Sequence, residues 1–445
     1  MAGPSSRPGS PGDRSSAIAP APRRAILLLM MVYMFNMLDR QILTILVEPI
    51  KADLHLADWQ IGAVSGLAFA LLYTVGGILL ARVADRGDRV KMIAAALTIW
   101  SGFTILSGFA RNFGEMLLVR VGVGIGEAGC TPAAHSLITD LVPRERRASA
   151  LAFYQLGVPL GAMVGLAMGG FVLSILSWRW AFFLAGAPGI GLAVIVLLVM
   201  QDPRRSFTRD TARAAETGVS ILVAARTLLS KPAFLLLCLG SAMSAFAYFG
   251  QAAFLGSLYL RTHGPALAAL AERAGMAPTT LLGLLLSVMV GVGGGIGTLT
   301  GGWLADRWGR QGLSGYLTIC AAALIGAAPF FCGAALSDSL ILSMAAVGFG
   351  ILIHSVSYGP AYAAIQTLAE PRMRGMAAAI QILFVNAIGL ALGPLFVGTI
   401  SDLLRDSQTA EWSLRVAMST VTVPLLIGGA LLWFARKWVD GDTAT

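Results

Sequence analysis

Apolar residues along this chain neither alternate nor keep to one helical face. They come in runs of about 18 residues or more, long enough to cross a hydrocarbon core as helices. Twelve runs are predicted: 25–48, 59–82, 91–110, 114–136, 147–172 and 178–200, then 233–260, 278–304, 312–334, 338–362, 375–400 and 412–436. They are numbered here as helices 1 to 12. A polar stretch, 201–232, separates the two sets of six. Its later part is amphipathic, with Val219, Leu222, Leu228 and Leu229 on the apolar face, and suits a membrane surface. Residues 1–24, rich in Pro, Ser, Gly and Arg, read as a disordered tail, and 438–445 as a short C-terminal tail. The expected fold is an all-α membrane protein of two six-helix bundles, 25–200 and 233–437.

Composition agrees, with 56% hydrophobic and 12% charged residues. The net charge of +9 would suit nucleic acid, but its distribution argues otherwise. Arg86, Arg89, Lys91, Arg144, Arg146, Arg147, Arg204, Arg205, Arg307, Arg310, Arg372 and Arg374 all fall in alternate loops. The positive-inside rule places those loops and both termini in the cytoplasm. The opposite loops hold only scattered charges, among them Lys51, Arg111, Arg261, Arg273 and Arg405. Cys130, Cys238, Cys320 and Cys332 lie inside apolar runs without a CxxC pair, so no disulfide, metal or other cofactor is expected. The absence of any Asn-x-Ser/Thr sequon and the Ala, Gly and Arg content suggest a bacterial inner membrane.

The two sets of six look like copies. "VADRGDR" after helix 2 matches "LADRWGR" after helix 8, pairing Asp85 with Asp306. "PAAHSLITDLVPRER" matches "PAYAAIQTLAEPRMR", and the register runs on to pair Gly161 with Gly389, Gly165 with Gly393 and Gly170 with Gly398. Related halves of this kind are the architecture of many secondary transporters. Gly157, Gly161, Gly165 and Gly169 recur every fourth residue of helix 5, a bare stripe that lets another helix come close. Packing alone explains such a row; packing that slides during transport is the functional alternative.

Four charges sit deep in the runs: Asp39 and Arg40 on helix 1, Arg120 and Glu127 on helix 4. Each costs roughly 2.5–3.5 kcal/mol at a helix centre when unpaired, so they should pair or line a wet cavity. Asp39 and Arg40 are about 100° apart around helix 1 and cannot point the same way. At 1.5 Å per residue, Arg40 falls at a depth between Arg120 and Glu127, so all three can meet if helices 1 and 4 are neighbours. The roles expected are anion attraction by Arg40 and Arg120, and proton exchange by Glu127 and Asp39. A static ion-pair cluster joining helices 1 and 4 is the alternative. The second half offers a different wall: Tyr248, Phe249 and Gln251 on helix 7, and His354, Ser355, Tyr358 and Tyr362 on helix 10. One charged and one greasy wall suit an amphipathic molecule.

"GGWLADRWGR" (301–310) resembles the cytoplasmic loop signature of the major facilitator superfamily, which implies an Asp and Arg gate made of Asp85, Arg86, Asp306, Arg307 and Arg310; a tight basic turn that only fixes topology is the alternative. The first copy departs from it, with Ala81 and Asp88 where glycines are expected. "NMLDRQ", "RVGVGIGEAG", "FYQLGVPLGAMVG" and "EPRMRGMAAAIQILFVNAIGLALGPLFVG" together resemble the spinster family. That resemblance implies a monomeric, proton-coupled, alternating-access carrier of lysophospholipid or sphingosine phosphate, and no enzyme. After "GEA" this chain has "GCTPAAHS", where animal spinsters carry Ser and Thr, so the lipid is left open. An organic anion–proton symporter of the same superfamily, or a non-transporting membrane sensor or scaffold, are the alternatives.

Overall fold

The structure, a computed structural model, describes residues 22–70, 73, 87–143, 146–203, 221–308, 312–370 and 373–438. Every element among them is helical. Ten of the described helices are long and apolar enough to cross a membrane. Helix 1 is Pro22–Leu54, helix 3 Arg89–Ser107, helix 6 Trp178–Val199, helix 7 Pro232–Thr262 and helix 9 Leu313–Leu336. Helix 4 is broken into Phe113–Glu127 and Cys130–Leu141, and helix 5 into Arg147–Gln155 and Gly157–Ile175. Helices 8, 10, 11 and 12 fill Pro278–Trp308, Leu340–Leu368, Arg374–Arg405 and Ala410–Trp438. Of helix 2 the structure describes its first turns, from Asp58. Helices 2, 8 and 11 each contain a π turn, at Ala63–Leu67, Met289–Gly293 and Val385–Leu390. The linker holds a short helix, Ile221–Leu229. Another, Gly264–Arg273, begins on Pro265 where the hydropathy pattern predicts a loop.

The Arg-rich loops define what is called here the inner end. The two sets of six meet where helix 5 packs on helix 8, helix 2 on helix 11, and helix 1 on helix 7. These seams obey the repeat. A Cβ at Gly170 would lie 2.3 Å from the Thr279 carbonyl oxygen, and one at Gly283 2.5 Å from that of Leu166. At the other seam, a Cβ at Gly398 would lie 2.2 Å from the Asp58 carbonyl oxygen, and one at Gly62 2.3 Å from that of Pro394. The register that pairs Asp85 with Asp306 also pairs Asp58 with Thr279 and Gly62 with Gly283. The register that pairs Gly170 with Gly398 pairs Leu166 with Pro394. Backbone-to-backbone contact at both places needs glycine, because any Cβ would collide with main chain. The helix 5 stripe has a different partner. Gly157, Gly161 and Gly165 lie against the backbone of Met30, Met34 and Leu38 on helix 1, inside the first half.

The seams differ chemically. Between helices 5 and 8 the contact is nearly apolar, with one long hydrogen bond from Thr280 Oγ1 to the Gly170 carbonyl at 3.4 Å. Beside helices 2 and 11 it is ionic, with Arg261 from helix 7 and Glu48 and Lys51 from helix 1. Arg261 donates to both Asp58 oxygens at 2.8 and 2.9 Å and to Glu48 Oε1 at 2.6 Å. Lys51 and Ser401 also donate to Asp58. Asp402 of helix 11 accepts the N–H groups of Asp58 and Trp59, capping the start of helix 2 from the other half. Lys51 and Arg261, scattered charges in the sequence, are therefore the core of an outer latch between the halves.

Asp58 lies just ahead of the membrane-crossing part of helix 2. Burial alone would raise its pKa, but the hydrogen bonds and charges of Arg261 and Lys51 hold it below the usual carboxylate range. The stabilisation from a lowered carboxylate is complete above its ordinary pKa and is lost only as pH falls through the lowered one. Closure of the outer end should thus be flat between about pH 5 and 8. Asp58→Asn should loosen it at every pH. A cysteine at Thr44, one turn inside Glu48, reports this through its labelling rate with an impermeant maleimide. The expected change is at least fivefold faster labelling in the Asp58→Asn background, and none on shifting pH alone.

Candidate functional site

Helix 1 carries Asp39, Arg40 and Gln41 on successive positions, so they leave the helix in three directions. Arg40 faces helix 4, where its Nε and Nη2 donate to Glu127 Oε2 at 3.0 and 2.7 Å. Its guanidinium also lies over the rings of Phe69 and Tyr73 of helix 2, at 4.2 and 5.0 Å. Asp39 meets Arg120, with Nη1 to Oδ2 at 3.5 Å, and has Thr104 of helix 3 beside it. The four predicted charges thus form two crossed pairs. The expectation that Arg40, Arg120 and Glu127 meet in one group holds for Arg40 and Glu127; Arg120 is drawn instead to Asp39.

The pairs are not equally accessible. The Arg40 side chain is 22% exposed, whereas Glu127 is fully buried. Asp39 and Arg120 are buried as well. Each pair also leaves polar atoms unmatched: Asp39 Oδ1, Arg120 Nε and Glu127 Oε1 have no hydrogen-bond partner. Buried polar atoms are rarely left alone, so these positions are places for water or a ligand. Arg40 is the exposed member of the cluster.

Gln41 and Thr44 point the other way. With Tyr248 and Gln251 of helix 7 they line a cavity of about 30 Å³ between the halves, room for a water or two. Its remaining wall is apolar and includes Leu166, Phe331, Val347 and Ile351. Gln251 Nε2 is buried without a partner. Tyr248 stacks flat on His354 at 5.5 Å and meets Phe249 edge-on at 5.4 Å. His354 is buried; Ser244 Oγ lies 2.8 Å from its Nε2, and Tyr358 is edge-on to its ring. Ser355 does not line the cavity: it is turned against Gly294 and Gly297 of helix 8, because the glycine row of helix 8 leaves a groove that helix 10 fills. Phe249 packs on the cluster of the first half that contains Phe69. Tyr362, 60% exposed, lies near Tyr33 and Tyr73 toward the inner end, a place between the halves called here the inner mouth.

Of the predicted gate, Asp85, Arg86 and Arg310 lie outside the described residues. Asp306 and Arg307 are exposed at the inner end, with Arg307 over the Trp303 ring at 5.9 Å. What sequence reasoning missed is the next pair along. Asp88, a departure from the loop signature, accepts the N–H groups of Val90 and Lys91 and caps helix 3. Arg89 is fully buried and donates to Asp202, Asp140 and Ser136, tying the inner ends of helices 3, 4 and 6. An aspartate directly before an apolar run was a legible cap signal; the reach of Arg89 to residue 202 was not.

Removing one member of a buried pair leaves an uncompensated charge, a loss of roughly 3–5 kcal/mol. Arg120→Ala should therefore lower the thermal midpoint in detergent markedly, and Asp39→Asn on top of it should recover more than half of the loss. Scanning fluorimetry of the two variants checks this.

The sequence profile of the Major Facilitator Superfamily matches residues 29–394. An "MFS-type efflux pump" of Mycolicibacterium smegmatis is 34% identical over 433 residues, spanning 97% of each chain. "Protein spinster homolog 1" of Xenopus tropicalis is 26% identical over 430 residues, covering 94% of this chain and 81% of the relative. Among solved structures, a bacterial homologue of the human lysosomal transporter spinster, inward-facing and unoccupied, superposes with a TM-score of 0.81. It is 27% identical over 97% of this chain and 99% of that one. The nucleoside transporter NupG shares the fold at 13% identity and a TM-score of 0.71, over 93% of this chain and 99% of that one.

Proposed function

The chain belongs to the major facilitator superfamily as a membrane transporter of spinster type, and on that premise we propose that it carries an amphipathic anion of the lysophospholipid or sphingosine-phosphate kind, coupled to protons. The observation that carries the proposal is the pair of Arg40 and Glu127, with one partner partly exposed and the other fully buried. While Glu127 is ionised, Arg40 is neutralised by it. When Glu127 takes a proton, Arg40 is released and accepts an anionic head group in its place. Binding of the anion then favours uptake of the proton, by linkage. Arg120 holds Asp39, the second proton acceptor, and adds positive potential behind Arg40. Tyr248 and Phe249, with Gln251 and His354 beside them, form the aromatic wall against which the tail lies, with Tyr358 and Tyr362 continuing it toward the inner mouth.

The halves rock about this site. The outer latch is made in the state described here, and the inner end is closed in the other by Asp85, Arg86, Asp306, Arg307 and Arg310. The setting is a bacterial inner membrane, with both termini in the cytoplasm. An organic anion–proton symporter would use the same charged pair without the greasy wall.

Liposome flux of lysophosphatidic acid under a pH gradient tests the proposal. Uptake should saturate and strengthen with acyl length; a short-chain organic anion carried equally well would favour the symporter. Glu127→Gln should abolish the response to the pH gradient while still binding lipid. Arg40→Ala should weaken affinity about tenfold, roughly 1.4 kcal/mol. Wild-type behaviour in both variants would refute the assignment.

A further inference from the structure

Glu127, Thr131 and His135 are spaced four apart along helix 4. The break between the two pieces of the helix does not spoil this spacing. Ala128 and Gly129 both stay in the right-handed region, at φ, ψ of −57°, −33° and −90°, −13°. The three side chains therefore form a ladder on one face, with about 6 Å of rise per rung. Helix 4 runs inward, so His135 is the rung nearest the inner end. Tyr33 lies seven residues before Arg40 on the antiparallel helix 1, which puts it on the same face as Arg40 and two turns further in.

Tyr154 of helix 5 closes the ladder from the side. Its ring stacks on Tyr33 at 4.7 Å with 3° between the planes, and His135 meets it edge-on at 5.3 Å. Its hydroxyl lies near Thr131 and Cys130. Around this ladder Glu127 Oε1 and His135 Nε2 are buried without a hydrogen-bond partner, and the Tyr154 hydroxyl, from helix 5, has only Thr131 beside it to bond. Buried polar atoms left open at both ends of the ladder, with a hydroxyl between them, are places for water. The half-buried His135 and Tyr33 border the inner mouth, where the exposed Tyr362 of helix 10 comes near Tyr33.

We infer that Glu127, the Tyr154 hydroxyl and His135, joined by water, form a proton conduit from the charged site to the inner mouth, with His135 as its port. This rests on Glu127 being the proton carrier. The Glu127 carboxylic acid gives its proton to the neighbouring water. The Tyr154 hydroxyl accepts one proton and passes on its own. His135 Nε2 takes up a proton and releases it to water in the inner mouth, leaving Glu127 as the carboxylate that re-forms its bond with Arg40. Rise along helix 4 from Glu127 to His135 is about 12 Å, a gap that one hydroxyl and two or three waters at about 2.8 Å spacing can bridge.

The charged and titratable groups around the conduit do not replace it. Asp39 and Arg40 face it from helix 1 and Tyr73 from helix 2, all at the Glu127 end. Arg147 opens helix 5 at the inner end, and Arg89 of helix 3 is held by Asp202, Asp140 and Ser136.

The test separates net proton movement from exchange. Purified protein in liposomes with trapped pyranine is given lysophosphatidic acid, and lumenal pH is followed. Counterflow of the same lipid is measured in parallel. His135→Gln and Tyr154→Phe should slow lipid-driven proton movement at least tenfold and flatten its pH profile. Counterflow, which needs no net proton release, should stay within twofold, showing a folded carrier. Loss of both activities together, or proton movement within twofold of wild type while Glu127→Gln abolishes it, overturns the conduit and leaves Glu127 as carrier. Wild-type lipid transport without any proton movement overturns both.

Discussion

Hydrocarbon does not tolerate isolated charge, and that single constraint organises this protein. Four ionisable side chains at mid-membrane depth would together cost on the order of 10 kcal/mol if unpaired, comparable to the net stability of a whole domain. The chain meets the constraint by crossing two pairs between helices 1 and 4, Arg40 with Glu127 and Arg120 with Asp39. The compensation is incomplete, since each pair leaves polar atoms without partners. A static strut would be expected to satisfy them. A cluster that must give up and regain a partner each cycle has reason to leave them to water.

Around this centre the two halves meet at two places that are equivalent by the internal repeat and unlike in chemistry. Gly170 with Gly283 and Gly398 with Gly62 make the same backbone contacts. Of these two, only the helix 2–helix 11 seam has ions beside it, from Arg261 of helix 7, because Asp58 stands where the second copy has Thr279. Glycine sets how closely the halves come; the Asp58, Arg261 and Asp402 network sets how firmly one seam is held. A carboxylate held in its charged form makes a latch indifferent to ordinary pH.

Much of this was legible in the sequence because it depends on local pattern. Long apolar runs fixed the helices, and the Pro, Arg and Gly register identified equivalent positions that prove to make equivalent contacts. The charges at 39, 40, 120 and 127 announced themselves by being costly where they stand. Their pairing was less legible, since helix rotation, not spacing, decides that Arg120 turns to Asp39. The latch was invisible for a related reason: Arg261 and Asp58 are 203 residues apart, and an exposed-looking charge at a helix end gives no hint of a partner in the other half. The helix 5 stripe misleads in the same way, because a row of glycines says that something approaches closely without saying what. Ser355 is the converse case, a hydroxyl that looks like cavity lining until the groove of helix 8 claims it.

The most direct test of the central claim is proton uptake on binding. Titration calorimetry of lysophosphatidic acid into the detergent-purified protein, repeated in buffers of different ionisation enthalpy, gives the number of protons taken up per lipid bound. Exchange of Glu127 for an anionic head group on Arg40 predicts an uptake approaching one proton at a pH where Glu127 is ionised, and none in Glu127→Gln. Binding of the lipid by the wild-type protein with no proton uptake at any pH would contradict it.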